Sequence, residues 1–328
     1  MSVLTHVAVH SSSFPENVQR DLLESLRSRK IDSKHHYASY KQSQKWLALH
    51  EAYSPARNDP DCAAIYDLGF HAAADAAGST PLNVIGLGCG GGQKDARLLS
   101  LLTGQGRGLS YAPCDISLAL VLTSTLAAQT AVPGIQCHPL VCDLGSATDL
   151  PAAFENLEGA GKKRLITFFG MIPNFEPEFI MPRLASLVRV GDFLLFSANL
   201  APGLDYAAGV QQVLPGYDNA ETRDWLLTFL YDLGVEPDDG CVLFSIEDTP
   251  LALKRIVADF HFLKPRILKV LGEKFEFQRG DVVTLFFSYR YTRGRVKALL
   301  SEHNLSIAGH WTAQSGEEGV FLCCRTGG

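Results

Sequence analysis

The sequence has none of the paired-cysteine motifs that hold structural zinc or redox disulfides. Its eight cysteines include no C-x-x-C spacing, and most stand in apolar, strand-like stretches. This pattern is typical of buried thiols in a reducing compartment, so we expect a cytoplasmic protein. No combination of histidine, cysteine and carboxylate residues indicates a metal site, and we predict none. The cysteines are Cys62, Cys89, Cys114, Cys137, Cys142, Cys241, Cys323 and Cys324.

Long hydrophobic runs and an excess of positive charge are also lacking. No apolar stretch approaches the roughly 18 residues that a membrane span requires, and residues 1–19 lack the pattern of a signal peptide. The chain carries 29 Lys and Arg residues against 35 Asp and Glu residues, a formal net charge of -6. Since nucleic acids and anionic membranes bind basic surfaces, we expect neither as a partner. Nothing in the sequence demands more than a monomer.

Short apolar runs alternate with segments long enough for helices through the first two hundred residues. The run over 82–88 ends in glycines, as a buried parallel strand does. Such alternation implies an open, Rossmann-like α/β sheet with helices on both faces. Further strands are predicted over 109–113, 135–142, 165–170 and 193–198, and helices over 94–102, 118–128 and 178–189.

The pattern changes after Pro202. Residues 203–275 are predicted to be mostly helical, with the clearest helices over 222–233 and 250–261, and a strand follows over 282–287. A helix over 293–303 and an antiparallel strand pair over 306–312 and 319–323 come next. An insertion of about eighty to ninety residues therefore interrupts the sheet. We predict one domain from 61–200 and 291–328, and a smaller mixed α/β lobe from 1–60 and 201–290.

A glycine loop, Gly86-Leu-Gly-Cys-Gly-Gly-Gly92, lies between the first of these strands and a helix that begins near Gln93. Glycine lets the backbone approach a ligand closely, and a helix N-terminus offers unpaired N–H groups. Dinucleotides, phosphates and adenosylmethionine all bind such loops, so the loop alone does not identify the ligand.

Two acids at strand ends narrow the choice. Asp115 closes the second strand, where an acid accepts hydrogen bonds from the hydroxyls of an adenosine ribose. Asp143 ends the third strand, where methyltransferases commonly bind the adenine amino group, with the next apolar residue, Leu144, packing on the ring. Each could alone be a solvated aspartate. Because nicotinamide enzymes do not require the third-strand acid, the pair favours S-adenosylmethionine over NAD.

With these features the chain resembles the histidine-specific Nα-methyltransferases of ergothioneine biosynthesis and their relatives. The resemblance covers roughly residues 34–324 and occurs in five separate places. The matching strings are Gly86 to Leu99 with Lys94, Tyr111-Ala-Pro-Cys-Asp115, Gly170-Met-Ile-Pro-Asn174-Phe175, Tyr217-Asp-Asn-Ala220, and the N-terminal Tyr37 with Glu51-Ala-Tyr53-Ser-Pro-Ala-Arg57.

The resemblance implies a class I methyltransferase domain and a substrate-binding lobe, acting on the α-amine of a small amino-acid-like substrate. It implies that Asn174 and Tyr217 bind and orient the substrate's carboxylate and amine end, with Tyr53 in the same substrate site. Taken without the resemblance, Asn174 is a turn residue and Tyr217 a helix-entry residue. The residues implied around the cofactor are Tyr37, Gly86, Gly88, Lys94, Asp115, Asp143, Leu144, Phe169 and Gly170.

One strand departs from the family pattern. The family's histidine enzymes hold the imidazole with a Glu two residues before a Ser; here Ser288 is present, but Phe286 replaces the Glu. An apolar wall disfavours a polar imidazole. Our hypothesis is that the substrate is an amino acid other than histidine, with an aromatic or apolar side chain, since fungal relatives act on tryptophan derivatives. If the alignment slips, a different acid would serve.

Two other functions stay open at this point. One is methylation of a different small molecule, at oxygen or at a side-chain nitrogen. The other is a nicotinamide-dependent oxidoreductase or a catalytically silent nucleotide-binding module.

Overall fold

A computed structural model describes residues 5–158 and 162–326 of the chain. The strands are β1 (Ala8–Val9), β2 (Leu82–Leu87), β3 (Leu109–Asp115), β4 (Gln136–Cys137), β5 (Leu140–Val141), β6 (Lys163–Phe168), β7 (Phe193–Asn199), β8 (Gly240–Asp248), β9 (Lys254–Phe262), β10 (Arg266–Val270), β11 (Glu273–Phe277), β12 (Val282–Arg290), β13 (Leu305–Thr312) and β14 (Glu318–Arg325). The α-helices are α1 (Pro15–Ser28), α2 (Tyr40–Tyr53), α3 (Pro55–Asn58), α4 (Pro60–Ala77), α5 (Gln93–Gly104), α6 (Leu118–Ala131), α7 (Leu150–Glu158), α8 (Pro177–Leu187), α9 (Tyr206–Val213), α10 (Ala220–Asp232) and α11 (Arg293–Glu302).

The described chain forms two compact units. The first, the sheet unit, comprises described residues of 5–13, 55–200 and 292–326, and the second, the inserted unit, comprises 14–54 and 201–291. The boundaries differ from the predicted ones in the N-terminal part: residues 5–13 and 55–60, predicted in the lobe, belong to the sheet unit, where β1 pairs with β5.

The sheet unit has a Rossmann-like α/β fold. Its strand order is β1-β5-β3-β2-β6-β7-β14-β13, with β4 also paired to β3. Strands β2, β3, β6 and β7 are parallel, whereas β14 runs antiparallel to β7 and to β13. All six residues of β2 are buried, as expected for a central strand covered on both faces. The predicted fold class is confirmed. The prediction of a single strand over 135–142 is wrong in detail, because the structure has two short strands there, β4 and β5. Pro139 lies between them and has no N–H to donate to a neighbouring strand.

The carboxyl ends of the parallel strands meet at one edge of this sheet. The glycine loop follows β2, Asp115 ends β3, Asp143 comes two residues after β5, and Gly170 follows β6. Ligands of open α/β sheets bind at this edge. The fold therefore brings four sequence motifs that are far apart in the chain to one side of the sheet unit.

The inserted unit contains more β structure than its sequence suggested. Residues 203–275 were expected to be mostly helical, which is wrong: β8 and β9 join β12 in an antiparallel sheet of order β12-β9-β8, and β10 pairs with β11. The predicted helix over 250–261 is the strand β9 instead. Its apolar residues Ile256, Ala258, Phe260 and Phe262 recur with a period of two, which is the period of a strand with one buried face.

Two further observations bear on the composition. Across the two described stretches, no helix has both the length and the hydropathy needed to cross a membrane. All eight cysteines are free thiols, but Cys241 is exposed, so the expectation of burial is wrong for that residue.

Candidate functional site

The loop after β2 can be built only with glycine at certain positions. Gly88, Gly90 and Gly92 have φ angles of 56°, 53° and 74°. A Cβ on Gly88 would lie 2.6 Å from Cγ of Met171, and one on Gly92 would lie 2.7 Å from Cα of Ser124. Side chains are disfavoured at these positions both by conformation and by space, so the backbone of the loop is left uncovered where a ligand would approach it.

A buried hydrogen-bond network around Asp95 packs against the start of the glycine loop at Gly86. The Asp95 carboxylate, in the first turn of α5, accepts hydrogen bonds from the Tyr111 hydroxyl (2.6 Å) and from Thr167 Oγ1 (2.7 Å). A Cβ on Gly86 would collide with this carboxylate and with the Tyr111 hydroxyl. Burial raises the pKa of Asp95. Sequence reasoning missed Asp95, although an acid in the first turn of the helix that directly follows the glycine loop is a signal that could have identified it.

Asp115 is buried and holds the glycine loop. Its carboxylate accepts hydrogen bonds from the backbone N–H groups of Gly90 (3.1 Å) and Ser117 (3.0 Å). Burial raises the pKa of Asp115 to about 6, and backbone hydrogen bonds from Ser117, Gly90 and Ile116 oppose that rise. A carboxylate offers about four acceptor positions, so one remains for a further donor such as a ribose hydroxyl.

Asp143 orders the loop that follows β5. Its carboxylate accepts hydrogen bonds from the Gly145 N–H (2.8 Å) and from the Ser146 hydroxyl (2.7 Å). Asp143 and the next residue, Leu144, are both buried. The residues therefore present a carboxylate beside an apolar side chain, which is the combination expected around an adenine ring.

Lys94 takes part in a second polar network. Its Nζ donates a hydrogen bond to the Tyr66 hydroxyl (2.8 Å) and lies 4.3 Å from the centroid of the Tyr66 ring. The Tyr66 hydroxyl also hydrogen-bonds the Glu318 carboxylate and Ser197 Oγ, the latter at 2.8 Å. Burial lowers the pKa of Lys94, and the nearby Glu318 opposes that effect. The sequence pointed to Lys94 as a candidate but not to the other members of this network, which come from α4, β7 and β14.

The turn after β6 carries three of the predicted residues. Phe169 packs on the Tyr66 ring at 5.4 Å, and the Gly170 N–H donates to Ser197 Oγ (2.9 Å) with Gly170 at a φ of 71°. Asn174 ends the short helical turn that follows and is half-buried. Within the described part of the chain, no residue hydrogen-bonds the Asn174 side chain, so its amide is available to a ligand.

In the inserted unit, polar and aromatic side chains form a cluster on one face of the antiparallel sheet. The Tyr217 hydroxyl lies 3.0 Å from Ser288 Oγ and accepts a hydrogen bond from the Arg290 guanidinium (2.9 Å). The Phe286 ring packs on Tyr217 and on Trp225, with centroid distances of 6.3 and 6.1 Å. Ser288 and Arg290 are buried, and Phe286 is half-buried. We refer to these five residues as the Phe286 cluster.

The register of the sheet shows whether Asp259, an acid on the neighbouring strand β9, could replace the glutamate that this chain lacks. A bulge between Thr284 and Phe286 places Thr284 opposite Asp259 and Phe286 opposite Ala258. Successive residues of a strand point to opposite faces, so Asp259 points away from the Phe286 cluster. The cross-strand neighbours of Phe286 are Ala258 and then Phe244, both apolar. Asp259 therefore lies on the face opposite to Ser288 and does not take the place of the glutamate.

The structure places the remaining predicted residues, Tyr37 and Tyr53, in the inserted unit. The Tyr37 ring packs against Trp225 at 5.4 Å, and it also contacts Trp46. Tyr53 is exposed, and its hydroxyl donates to the Glu221 carboxylate (2.8 Å). Trp225 is thus shared by Tyr37 and Phe286, whereas the Tyr53 side chain contacts the start of α10.

An acidic group near β8 contains Glu236, Asp238 and Asp239. Lys264 pairs with Asp238 and Asp239 at 2.9 and 3.2 Å, and Arg266 pairs with Glu236 and Asp239 at 3.1 and 3.3 Å. These carboxylates form an ion-pair network with basic side chains.

The features of the sheet unit fit an adenosine-containing cofactor. The glycine cradle excludes a Cβ at several positions, and Asp115 keeps an acceptor position at the strand edge. Asp143 and Leu144 add a carboxylate and an apolar contact at the neighbouring strand.

Comparison with known proteins identifies the family. The chain matches the model of a family described as histidine-specific, S-adenosylmethionine-dependent methyltransferases over residues 18–325. A comparison with curated proteins gave no match.

Several solved structures are similar in fold. Magnesium protoporphyrin IX methyltransferase from Synechocystis PCC 6803 with bound S-adenosylmethionine shares 14% identity, with 90% of this chain and 98% of that chain covered and a TM-score of 0.48. The 1,6-didemethyltoxoflavin-N1-methyltransferase from Burkholderia thailandensis shares 11% identity, with 88% and 89% covered and a TM-score of 0.44. At these values the similarities say nothing about the substrate.

The match over residues 18–325 is to a methyltransferase family, and it decides against the alternative of a nicotinamide-dependent oxidoreductase. The chain belongs to the family of histidine-specific, S-adenosylmethionine-dependent methyltransferases, and it is an enzyme that uses S-adenosylmethionine.

Proposed function

We propose that the enzyme methylates the α-amine of a small amino acid with an aromatic or apolar side chain, and not histidine. The observation that carries the proposal is the Phe286 cluster, in which Phe286 stands where the family's histidine enzymes have a glutamate. The neighbours of Phe286 across the sheet are apolar, and the acid on the next strand, Asp259, points to the opposite face.

The energetic argument concerns a ring N–H without an acceptor. A histidine bound with its imidazole against Phe286 and Trp225 would lose a hydrogen bond to water and gain none from these rings. An unpaired buried donor costs about 1–3 kcal/mol, or a factor of about 5 to 150 in specificity. An aromatic side chain gains contact area with the same rings and has no such cost.

The polar end of the cluster suits an amino-acid head group. The Arg290 guanidinium donates to the Tyr217 oxygen, and the Tyr217 hydroxyl lies 3.0 Å from Ser288 Oγ, so a guanidinium and two hydroxyl groups stand together here. The nearby positive charge favours an anionic ligand. Asn174, with its amide available, has both a donor and an acceptor for an amine or a carboxylate. We assign the orientation of the substrate amine to Asn174 and Tyr217, and contacts to its side chain to Phe286 and Ser288, with Tyr53 as a further substrate residue.

For the cofactor, we assign the ribose hydroxyls to Asp115 and the adenine amino group to Asp143, with Leu144 against the ring. The close approach of the backbone is supported by the glycine geometry at Gly86 and Gly88. The remaining assignments around the cofactor are Lys94, Phe169, Gly170 and Tyr37.

The protein has little proton chemistry to perform. When bound, S-adenosylmethionine supplies an activated methyl group. The task of Asn174 and Tyr217 is then to hold an unprotonated amine in one orientation, and such positioning is worth several kcal/mol of barrier. An α-amine has a pKa of about 8 in water, and burial near a cation lowers that pKa. A dedicated general base is not required.

The proposal is tested by restoring the family's acceptor. We expect the wild-type enzyme, given a pooled amino-acid mixture, to methylate aromatic or apolar amino acids in preference to histidine, as measured by mass spectrometry. The Phe286→Glu variant should gain at least about tenfold in kcat/KM for histidine, because the carboxylate pairs with a ring N–H. Phe286→Leu is the matched control, since it keeps the wall apolar and should gain nothing for histidine.

Preference of the wild-type enzyme for histidine would contradict the proposal. Fragmentation of the product locates the methyl group. A methyl group on oxygen or on a side-chain nitrogen would support the second candidate, methylation of a different position, which the loss of the glutamate also allows.

A further inference from the structure

The N-terminal segment over residues 5–13 lies outside the range that the family model matches, which begins at residue 18. In the structure it nevertheless joins the sheet unit beside the predicted adenine site. Strand β1 pairs in parallel with β5, with Ala8 opposite Leu140 and Val9 opposite Val141. The His10 N–H donates to the Val141 carbonyl (2.9 Å), which brings the following serines to Asp143.

The Ser12 hydroxyl is the hydrogen-bond acceptor for the backbone N–H of Asp143. Ser12 Oγ accepts a hydrogen bond from the Asp143 N–H (3.0 Å) and lies 2.8 Å from His10 Nδ1. His10 Nε2 lies 2.9 Å from Asp149 Oδ1. A carboxylate only accepts, so in the neutral imidazole Nε2 carries the proton and Nδ1 is the acceptor for both the Ser12 hydroxyl and the Ser12 backbone N–H (3.1 Å). A Ser12 hydroxyl that donates to His10 Nδ1 keeps its oxygen as the acceptor for the Asp143 N–H, and Cys142 Sγ lies 3.7 Å from the same oxygen.

We infer that Ser12 is a positioning residue for the cofactor site, acting through Asp143. The inference rests on the proposed role of Asp143 in binding the adenine amino group. The Asp143 backbone is held by Ser12 on one side, and its carboxylate is held by Gly145 and Ser146 on the other. Without the Ser12 oxygen, a buried N–H at the strand end loses its acceptor, and the carboxylate loses its fixed position.

The chain offers a matched control in the adjacent residue. Ser13 has a buried hydroxyl that hydrogen-bonds none of the residues the structure describes. Ser12→Ala and Ser13→Ala remove the same atom from adjacent positions of the same short segment. Only the first removes a contact to Asp143.

The experiment measures binding by titration calorimetry of two probes, adenosylhomocysteine and its inosine analogue, in which an oxygen replaces the adenine amino group. Ser12→Ala should bind adenosylhomocysteine about three- to tenfold more weakly than the wild type and lose less for the inosine analogue. Ser13→Ala should bind both probes like the wild type. Ser12→Thr, which keeps the oxygen, should restore the preference for adenosylhomocysteine and serves as the second variant if Ser12→Ala folds poorly.

A double variant separates this inference from the proposed site. If Ser12 acts through Asp143, adding Ser12→Ala to Asp143→Ala should cost no further affinity. Equal losses for both probes in Ser12→Ala, or wild-type binding by that variant, would overturn the role of Ser12. Wild-type binding by Asp143→Ala would instead reject the cofactor assignment of Asp143 itself.

Discussion

At the scale of single residues, burial determines how Asp115 responds to pH. The pKa of Asp115 is raised to about 6 by burial, so the carboxylate is protonated below that pH and ionised above it. Only the ionised form has the acceptor position assigned to a ribose hydroxyl.

We predict that the affinity for adenosylhomocysteine falls about tenfold between pH 7.5 and pH 5, because the fraction of ionised Asp115 falls by that factor. Calorimetric titration across this range measures the effect. The Asp115→Asn variant should bind weakly at both pH values, with a smaller change between them. A flat profile in the wild-type enzyme would contradict the role of Asp115.

The predictability of the site also differs from residue to residue. Asp115 and the glycine loop could be selected as candidates because they stand at strand ends that the sequence itself shows. Ser12 and Glu318 could not, since their partners, Asp143 and Tyr66, are far away in the sequence and no local pattern links them. Such residues become visible only when the sheet order is known.

At the scale of elements, β12 depends on a contact made by the N-terminal part of the inserted unit. The bulge between Thr284 and Phe286 disturbs the pairing with β9, and the Leu285 carbonyl accepts a hydrogen bond from His36 Nε2 (2.7 Å). His36 is fully buried, and burial lowers its pKa to about 4. The bulge that presents Phe286 is therefore held by a histidine that must stay neutral.

The stability of the protein should consequently fall in acid. Because the pKa of His36 is lower in the folded state than in the unfolded state, the unfolded state binds the extra proton as the pH falls from about 6.5 to about 4. We predict that protonation of His36 in the unfolded state lowers the free energy of unfolding by about 2 kcal/mol between pH 7 and pH 4.5. The His36→Gln variant keeps a hydrogen-bond donor that does not titrate. In urea unfolding, its free energy of unfolding should therefore fall by about 2 kcal/mol less than that of the wild type over the same pH range. An identical pH dependence in the two proteins would reject this account.

The same part of the chain shows why element prediction failed there. In β9 the apolar residues alternate with Arg255, Asp259 and His261, yet a helical assignment over 250–261 missed that period. In the structure, β9 is the central strand of its sheet and forms hydrogen bonds with β8 on one side and β12 on the other, which stabilises the extended conformation. The parallel strands were easier to predict, because a short, continuous apolar run that ends in glycine is typical of a strand buried on both faces.

At the scale of the whole molecule, the chain passes between its two units several times. Residues 14–54 and 201–291 form one unit, whereas residues on either side of each segment belong to the other. The sequence predicted an insertion, but it did not predict that residues 5–13 add a strand to the large sheet. A strand of two residues carries no periodicity, so only its pairing with β5 reveals it.

Ligand binding to the sheet unit should stabilise the folded protein by mass action. A ligand at one hundred times its Kd adds about 2.7 kcal/mol to the free energy of unfolding. We predict that adenosylhomocysteine at that excess raises the Tm by several degrees, and that NAD at the same concentration does not. The Gly88→Ala variant should lose the shift, because its Cβ would lie 2.6 Å from Met171 at a φ of 56°, which forces the loop to move. An equal shift with NAD would mean that the cradle recognises adenosine alone, and Asp143 would then have no part in selecting the cofactor.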